Sequence, residues 1–275
     1  MKDVFVKTSE QLFTIPSWSE MDGSLTAGFT TKNGGVGKGH FSALNIAFHV
    51  HDKEEDILQN REIVAGLTGF PVSAWVGAEQ THRTNIAKVT KADKGRGAND
   101  YASALKDTDG MYTDEQGVLL TLCYADCVPV YFFAPKHRLL GVAHAGWKGT
   151  VSGIAAEMVA AWNALGVESG DIHAAIGPSI CGKCYAVDDR VISSVDKIVA
   201  KDSEKPYNLI SPGQYNLDLK QLNAQILRNA GVKNIKVSSL CTSCHKEEFF
   251  SHRRDHGKTG RMMAFIGWKE DCLKK

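Results

Sequence analysis

The sequence lacks the features that mark several large classes of protein. No stretch of its 275 residues approaches the roughly 20 consecutive apolar residues that span a bilayer. The N-terminal segment has no continuous apolar core of the kind found in a signal peptide. There is also no low-complexity tract, no heptad run and no repeat of about 20–50 residues. We therefore expect neither a membrane protein nor a coiled-coil or repeat protein.

An excess of charge of one sign is missing as well. The 32 basic and 31 acidic residues give a formal net charge of +1, so composition provides no reason to expect nucleic acid or an anionic membrane as the main partner. Seven cysteines are an odd number, and the chain is too long to depend on disulfides as a small secreted domain does. We therefore predict a cytoplasmic protein whose thiols are free for metal binding or catalysis.

The pattern of apolar residues predicts a protein of the α/β class. Three continuously apolar runs of strand length lie at 117–123, 128–133 and 139–144, and such runs are typical of strands buried on both faces. Further strands are predicted at 74–77, 85–89, 172–176, 235–240 and 262–266. Helices are predicted at 53–67, 152–165, 188–200 and 217–230. The alternating order predicts at least one parallel strand pair in a mixed central sheet with helices on its faces, within one domain over residues 1–275.

Three strand ends carry residues that bind transition metals. His82 follows a strand-like segment, Cys127 lies between two apolar strands, and His144 ends the next strand. Two imidazoles and one thiolate leave an open position on a tetrahedral zinc ion, which is the arrangement of catalytic rather than structural zinc. Such an ion lowers the pKa of bound water to about 7. The alternative is that Cys127 is a small buried apolar residue and His144 a buried histidine with a hydrogen-bond partner.

A series of short motifs resembles one protein family over residues 25–268. The motifs are GFTT (28–31), GGV (34–36), SALN (42–45), NR (60–61), EQTH (79–82), DTDG (107–110), ADCVPV (125–130), HAGWKG (144–149) and FSHRRD (250–255). The family is that of the laccase-domain purine nucleoside phosphorylases of the YfiH/YlmD type, once described as multicopper polyphenol oxidases. The resemblance implies a single α/β/α domain, with layered helices and a mixed sheet in the YfiH-like fold.

The resemblance also implies a function. It implies zinc bound by His82, Cys127 and His144, with copper as the alternative metal, and it favours Cys127, His144 and Asp126 as catalytic residues. The expected reaction is phosphorolysis of adenosine, inosine and 5′-methylthioadenosine, with adenosine deamination as a second activity. Purine nucleosides and phosphate are therefore the expected partners, and a homodimer stays open. One departure is Arg83, because the family usually has glycine there and a cation beside a ligand can change substrate choice.

Substrate contacts are predicted at Asn45, Arg61 and Arg253. Guanidinium groups suit phosphate, so we expect Arg253, alone or with Arg61, to contact phosphate or ribose. The alternative for Arg253 is a solvated, charged turn. Asp126, His82 or a metal-bound water could supply the proton that a leaving purine needs. The glycines at 34–39 do not fit a P-loop, so they form either a substrate-facing loop or a surface loop.

Two Cys-x-x-Cys pairs offer a competing metal site. They are Cys181 with Cys184 and Cys241 with Cys244, and together they mimic a zinc ribbon. However, 56 residues separate the pairs, far beyond the usual spacing of about 15–20 residues. A shared zinc ion is therefore disfavoured, and a redox role is disfavoured further. Only Cys184 and Cys241 match family positions, which favours structural roles for these two.

Three other functions are alternatives to the phosphorylase. A cysteine hydrolase or deamidase would use Cys127 as nucleophile and His144 as base. A copper polyphenol oxidase could use the two histidines and one cysteine as a type 1 copper site. It would also need the many histidines of a trinuclear centre, and His49 with His51 is the one His-x-His pair in the sequence. A non-catalytic binding or scaffold protein would need no convergent ligands.

Overall fold

The computed structural model describes residues 3–200 and 203–270. The strands within these ranges are β1 (Val6–Lys7), β2 (Leu12–Thr14), β3 (Leu25–Thr30), β4 (Trp75–Gly77), β5 (Ile86–Lys88), β6 (Gly110–Thr113), β7 (Leu119–Tyr124), β8 (Val128–Ala134), β9 (Leu139–Ala145), β10 (His173–Ile176), β11 (Ala186–Asp188), β12 (Tyr207–Ser211), β13 (Gln214–Leu217), β14 (Asn234–Val237) and β15 (Met262–Trp268). The α-helices are α1 (Pro16–Ser19), α2 (Glu54–Thr68), α3 (Trp147–Val151), α4 (Ile154–Asn163), α5 (Asp189–Asp196) and α6 (Leu219–Asn229).

The strands form two large sheets and one small one. The first sheet has the order β1-β2-β3-β15-β7-β4, and the second has the order β14-β10-β8-β9-β6-β5. Each large sheet is mixed, because β4 pairs with β7 and β10 pairs with β14 in parallel, whereas most other pairs are antiparallel. Strands β11, β13 and β12 form a separate antiparallel sheet.

The continuous apolar runs arise because both faces of the central strands are covered. In β7, Leu120 and Leu122 pack into a core shared with the second sheet, whereas Leu119 packs on the opposite side with residues of α2. In β8, Tyr131 faces the first sheet and Phe132 faces α4 and α6. Successive side chains of a strand point to opposite faces, so both sets must be apolar when both faces are buried.

The α/β class and the mixed strand pairing agree with the sequence analysis, whereas the expected single central sheet is replaced by two stacked sheets. The order is therefore helix, sheet, sheet, helix. An apolar strand face looks the same in sequence whether a helix or a second sheet covers it, which is why the pattern did not distinguish the two arrangements.

The helix predicted at 152–165 is α4 in the structure, which begins two residues later and is preceded by the separate helix α3. Helix α3 ends at Val151 and α4 begins at Ile154, because Gly153 between them has a φ of +89°. That left-handed conformation suits glycine and separates the two helices. The helix predicted at 188–200 ends earlier, at Asp196. Within the described ranges, no helix combines the length and apolar character that crossing a bilayer requires.

Candidate active site

Three side chains from separate parts of the chain meet at one end of the sheets. One ring nitrogen of His82, one of His144 and the Sγ of Cys127 all lie within 4.8 Å of one another. The Sγ of Cys127 is 4.0 Å from the Nε2 of His82. The two imidazole rings meet edge to face with centroids 4.7 Å apart. The structure thus brings together the three residues that the sequence predicts as metal ligands.

Strand pairing explains how the cysteine and the second histidine come together. Val128 in β8 pairs with Ala145 in β9, so Cys127, one residue before β8, lies opposite the segment that follows His144. Gly146 occupies that segment, and a Cβ added there would lie 3.0 Å from the Sγ of Cys127 and 3.0 Å from the Cδ2 of His82. Any larger residue at this position would therefore push into the ligand cluster.

A buried carboxylate, that of Asp109, holds two of the three ligand positions. Its Oδ1 lies 2.8 Å from the Nδ1 of His144 and accepts the backbone N–H of His82 at 3.0 Å. Its Oδ2 accepts the backbone N–H groups of Thr81 and Arg83 at 3.0 and 2.9 Å. A carboxylate behind a ligating histidine fixes the ring orientation and the tautomer, so Asp109 acts as a positioning residue.

Sequence reasoning quoted Asp109 inside a motif but gave it no role. Its contact with His144 depends on the pairing of β6 with β9, in which Gly110 lies opposite Ala143. The backbone N–H of His144 also donates to the carbonyl of Asp109 at 2.7 Å. An acidic residue just before a strand would have indicated this role, had it been known that the strand pairs with the one that carries His144.

The thiol and the buried imidazole change each other's protonation. Burial raises the pKa of Cys127, but the charge of His144 and hydrogen bonds from both imidazoles outweigh it and lower the pKa to about 6. Burial lowers the pKa of His144, but the Cys127 thiolate and the Asp109 carboxylate outweigh it and raise the pKa to about 9. The pair thus favours a thiolate, which is the form of cysteine that binds metals or attacks as a nucleophile.

The donor set fits a transition metal. Because Asp109 occupies the Nδ1 of His144, the Nε2 of that ring is the atom left to act as a ligand. Nitrogen and sulfur ligands of one tetrahedral zinc ion lie about 3.3–3.6 Å apart, given zinc–ligand distances near 2.0–2.3 Å. The 4.0 Å between Cys127 and His82 is close to that range. Two histidines and one cysteine also suit copper, so the donors could hold a transition metal but do not identify which one.

The ligand cluster opens into a cavity of about 350 Å³, which is within the size range of small-molecule sites. The cavity is lined by apolar, aromatic, acidic and basic residues, namely Thr81, His82, Asp126, Cys127, Trp147, Lys148, Ile180, Tyr185, Leu219, His252 and Arg253. Flat aromatic surfaces and cationic groups thus lie around the same space as the histidine and cysteine ligands.

Arg253 and Asp126 both lie at this cavity. The guanidinium of Arg253 is 4.8 Å from the centre of the Tyr185 ring and donates to the carbonyl of Ala186 at 2.7 Å. Asp126 accepts a hydrogen bond from the hydroxyl of Thr242 at 2.6 Å. Its second oxygen accepts from the hydroxyl of Ser251 at 3.0 Å and from the backbone N–H of Arg253 at 2.7 Å. Asp126 therefore positions Arg253, while its predicted catalytic role stays a prediction.

Asn45 and Arg61, predicted as substrate contacts, do not line the cavity. Asn45 is fully buried and donates to the carboxylate of Asp52 at 2.9 Å. Arg61 is 5% exposed, and its guanidinium donates to three backbone carbonyls at 2.7–2.9 Å. It also stacks over the ring of Phe48 at 4.3 Å. The structure gives both residues partners inside the protein, and their role as substrate contacts stays a prediction.

Arg83 and the glycine-rich segment 34–39 also lie outside the cavity lining. The side chain of Arg83 is 72% exposed and lies 3.5 Å from the carboxylate of Asp107. The backbone N–H of Arg83, rather than its side chain, donates to the Asp109 carboxylate and so helps to fix residues 81–83, the His82 loop. Arg83 thus follows a predicted ligand in sequence, but its side chain is directed to Asp107 rather than to the cavity lining.

The two Cys-x-x-Cys pairs converge as well, which corrects the expectation drawn from their spacing. The four sulfur atoms of Cys181, Cys184, Cys241 and Cys244 all lie within 4.8 Å of one another. Sequence separation failed as a guide because the two pairs follow β10 and β14, and these strands are neighbours in the second sheet.

Fold and site together define an α/β protein with a histidine–cysteine cluster that could hold a metal ion in the wall of a ligand-sized cavity. The family model described as "multi-copper polyphenol oxidoreductase laccase" matches residues 26–269, and the chain belongs to this family.

Relatives with names and a solved structure cover almost the whole chain. "Purine nucleoside phosphorylase YlmD" of Bacillus subtilis is 48% identical over 272 residues, covering 97% of this chain and 98% of the relative. The protein of the same name from Geobacillus stearothermophilus is 52% identical over 248 residues, covering 89% and 90%. The crystal structure of YlmD from Geobacillus stearothermophilus superimposes with a TM-score of 0.95 at 48% identity, covering 98% of this chain and all of the other. These likenesses confirm the YfiH-like fold and support an enzyme.

Proposed function

We propose that this chain is a zinc-dependent purine nucleoside phosphorylase that also deaminates adenosine. The observation that carries the proposal is the His82, Cys127 and His144 cluster in the wall of a cavity of about 350 Å³. The substrate class follows from the names of the Bacillus and Geobacillus relatives. Adenosine, inosine and 5′-methylthioadenosine are the proposed nucleosides, and inorganic phosphate is the proposed second substrate.

The cavity has surfaces that suit the purine and the phosphate. The rings of Trp147 and Tyr185 offer flat faces for a purine. Lys148 and Arg253 offer positive charge for phosphate, and a guanidinium can bind two phosphate oxygens at once. Because the Arg253 side chain stacks on Tyr185, the proposed phosphate and purine positions are adjacent.

Both reactions change the charge on the purine, and groups around the purine must stabilise that change. In phosphorolysis, a phosphate oxygen forms a bond to C1′, the bond from C1′ to the purine nitrogen breaks, and the purine leaves with the electron pair and takes up a proton. In deamination, the oxygen of water bonds to C6 of adenine and ammonia leaves. Zinc held by His82, Cys127 and His144 would supply Lewis acidity and a water of lowered pKa.

The chain's own residues prepare this site. Asp109 keeps a proton on the Nδ1 of His144 and so presents Nε2 toward the ligand cluster. Cys127 is held as a thiolate beside His144. Both oxygens of Asp126 already accept hydrogen bonds, which suits a group that holds the backbone of Arg253 in the cavity wall.

Product analysis tests the proposal directly. Zinc-loaded protein is incubated with adenosine in the presence and absence of phosphate. Adenine and ribose 1-phosphate should appear when phosphate is present, and inosine should form in either case. The absence of both products, with the metal verified in the protein, would overturn the proposed function. Equal turnover by His82→Ala and wild-type protein would overturn the role of the cluster.

A specific observation favours a cysteine hydrolase as the second candidate. In the folded protein the Asp109 carboxylate contacts the His144 imidazole, and that imidazole contacts the Cys127 thiol. This is the order of groups in a nucleophile triad. The test is metal analysis followed by thiol alkylation of the purified protein. A metal-free protein whose catalytic activity is lost on alkylation would overturn the zinc model and favour the cysteine hydrolase.

The copper oxidase suggested by the family description finds less support. Residues 3–200 and 203–270 contain two groups of at least three potential metal ligands, the His82 cluster and the four cysteines. Neither is a set of many histidines such as a trinuclear copper centre needs. Copper in the place of zinc at the His82 cluster is the form of this alternative that fits the donors.

We also propose that the protein works in the cytoplasm as one domain over residues 1–275. Thiols grouped for metal binding stay reduced in that compartment, which supports the first point. The near-complete coverage of relatives of similar length supports the second.

A further inference from the structure

Four cysteines form a second cluster with the chemistry of a metal site. Cys181 and Cys184 make one pair, Cys241 and Cys244 make the other, and their four sulfur atoms lie within 4.8 Å of one another. We propose that these four residues bind a structural zinc ion that is separate from the His82 cluster. The proposal rests on the geometry of the four cysteines and does not depend on the proposed function.

Strand register brings the two pairs to one place. Strands β10 and β14 are parallel neighbours, and Ile176 at the end of one pairs with Val237 at the end of the other. Parallel strands carry the segments that follow them to the same edge of the sheet. A further bridge between Ser179 and Cys241 continues the pairing up to the cluster. The spacing in sequence is long because α5 and α6 lie between the two strands.

The sulfur separations match a single tetrahedral metal better than disulfides. With zinc–sulfur distances of about 2.3 Å, the four sulfurs of a tetrahedral site lie about 3.8 Å apart. The Sγ of Cys244 is 3.9 Å from that of Cys181 and 3.4 Å from that of Cys184. A disulfide needs about 2.05 Å. All four residues carry free thiols, so each sulfur is available as a ligand.

Backbone amides and a buried cation lie close to the sulfur atoms of this cluster. Cys241 accepts backbone N–H groups at its Sγ, from Cys181 at 3.2 Å and from Cys244 at 3.4 Å. Lys220 is 5% exposed and donates to the carbonyls of Ser238 and Leu240, just before the second pair. Its charge also interacts with the thiols of Cys241 and Cys181. Amide donors and a nearby cation reduce the negative charge that four thiolates leave around one zinc ion.

The second cluster is linked to the wall of the proposed substrate cavity through neighbouring residues. Ile180 and Tyr185, which line that cavity, flank the first cysteine pair in sequence. The backbone N–H of Ile180 donates to the carbonyl of Asp126 at 3.0 Å, and the hydroxyl of Thr242 donates to the Asp126 carboxylate at 2.6 Å. A zinc ion here would clamp the two segments together and hold the wall that carries Tyr185.

Zinc counting on the full-length protein tests the proposal. Protein is purified under reducing conditions without chelators, supplied with zinc and freed of excess metal by gel filtration. We expect the Cys181→Ser/Cys184→Ser variant to hold one zinc ion per chain fewer than wild type. Cys123→Ser is the matched control, because Cys123 is a free thiol outside both clusters, and it should keep the wild-type zinc content.

A second measurement does not depend on the folding of a cysteine variant. X-ray absorption at the zinc edge on His82→Ala protein, in which the first cluster is incomplete, should show zinc with four sulfur neighbours at about 2.3 Å. Zinc that is absent from His82→Ala protein, or zinc without a four-sulfur shell, would overturn the proposal. Two disulfides among these cysteines in freshly isolated, reduced protein would overturn it as well.

Discussion

The His82 cluster and the four-cysteine cluster differ in the ways that distinguish a catalytic metal site from a structural one. The first joins two imidazoles and one thiol, opens into a cavity and depends on a buried carboxylate, that of Asp109, behind one ligand. The second joins four thiols at the ends of two parallel strands and receives backbone amide hydrogen bonds. Three protein ligands leave a metal with a free position for substrate or water, whereas four close it. As proposed, the same fold thus holds an open site and a closed one, and Asp126 contacts residues next to both.

The largest difference in turnover between variants of the two clusters should come from removing Cys127, the sulfur ligand of the His82 cluster. Cys127→Ala takes away the thiolate between two histidines, so we expect turnover of nucleosides to fall by more than about 10³-fold. The four-cysteine cluster should keep its zinc. Cys123→Ala is the matched control and should leave turnover within a few-fold of wild type. Loss of activity in both variants, or in neither, would break the distinction.

A smaller but still large effect is expected from crowding the open site. The added Cβ of Gly146→Ala would lie 3.0 Å from both Cys127 and His82, so the ligands must shift. A misplacement of about 1 Å can cost about 100-fold in turnover, so 100-fold is the upper bound for the loss caused by this smaller shift. Gly66→Ala in α2 is the control, since a Cβ there meets no atom within 4 Å. Steady-state rates and zinc content together measure the effect, and wild-type behaviour of Gly146→Ala would refute the crowded geometry.

Asp109→Asn tests the support behind the ligand. The amide cannot accept hydrogen bonds at both of its ends, so it loses part of the set that orients His144 and the His82 loop. Outer partners of this type are worth about 10–100-fold in metal affinity. Asp114→Asn is the control, because that carboxylate is partly exposed and pairs with Lys88 away from the cluster, and it should change affinity little. Competition with a chelator of known strength gives the numbers, and equal affinities for the two variants would remove the role of Asp109.

The smallest effect should fall mainly on the apparent constant for one substrate, phosphate. Removing a charge-assisted hydrogen bond costs about 1.5–3 kcal/mol, so Arg253→Ala should raise the apparent constant for phosphate roughly tenfold or more. The constant for the nucleoside should change less, and zinc content at both clusters should stay as in wild type. Arg83→Ala is the matched control, because that side chain is exposed and lies outside the cavity. An unchanged phosphate constant in Arg253→Ala would assign Arg253 to structure alone.

The strands of the core could be predicted from sequence better than their assembly. The runs at 117–123, 128–133 and 139–144 correspond to β7, β8 and β9 within a residue or two, because burial on both faces demands apolar residues throughout. The division into two sheets could not be predicted, since helix-facing and sheet-facing positions use the same residues. The later start of α4 after Gly153 also escaped the helical pattern, because a single left-handed residue leaves the apolar spacing intact.

The candidate site divides in a similar way. His82, Cys127 and His144 were predicted from strand ends and from motif resemblance, and the structure brings them together. Asp109 was missed because its role depends on which strands pair. The four cysteines were set aside on sequence distance, although each pair follows a strand and the two strands are parallel neighbours. Distance along the chain is a poor guide wherever a crossover connection intervenes.

Anomalous diffraction at the zinc edge on crystals of the metal-loaded protein tests the central claim most directly. The account predicts a peak in contact with the ring nitrogens of His82 and His144 and the sulfur of Cys127, with one position facing the cavity. A fully loaded crystal with no peak among these three side chains would contradict it, whatever other metal the protein carries.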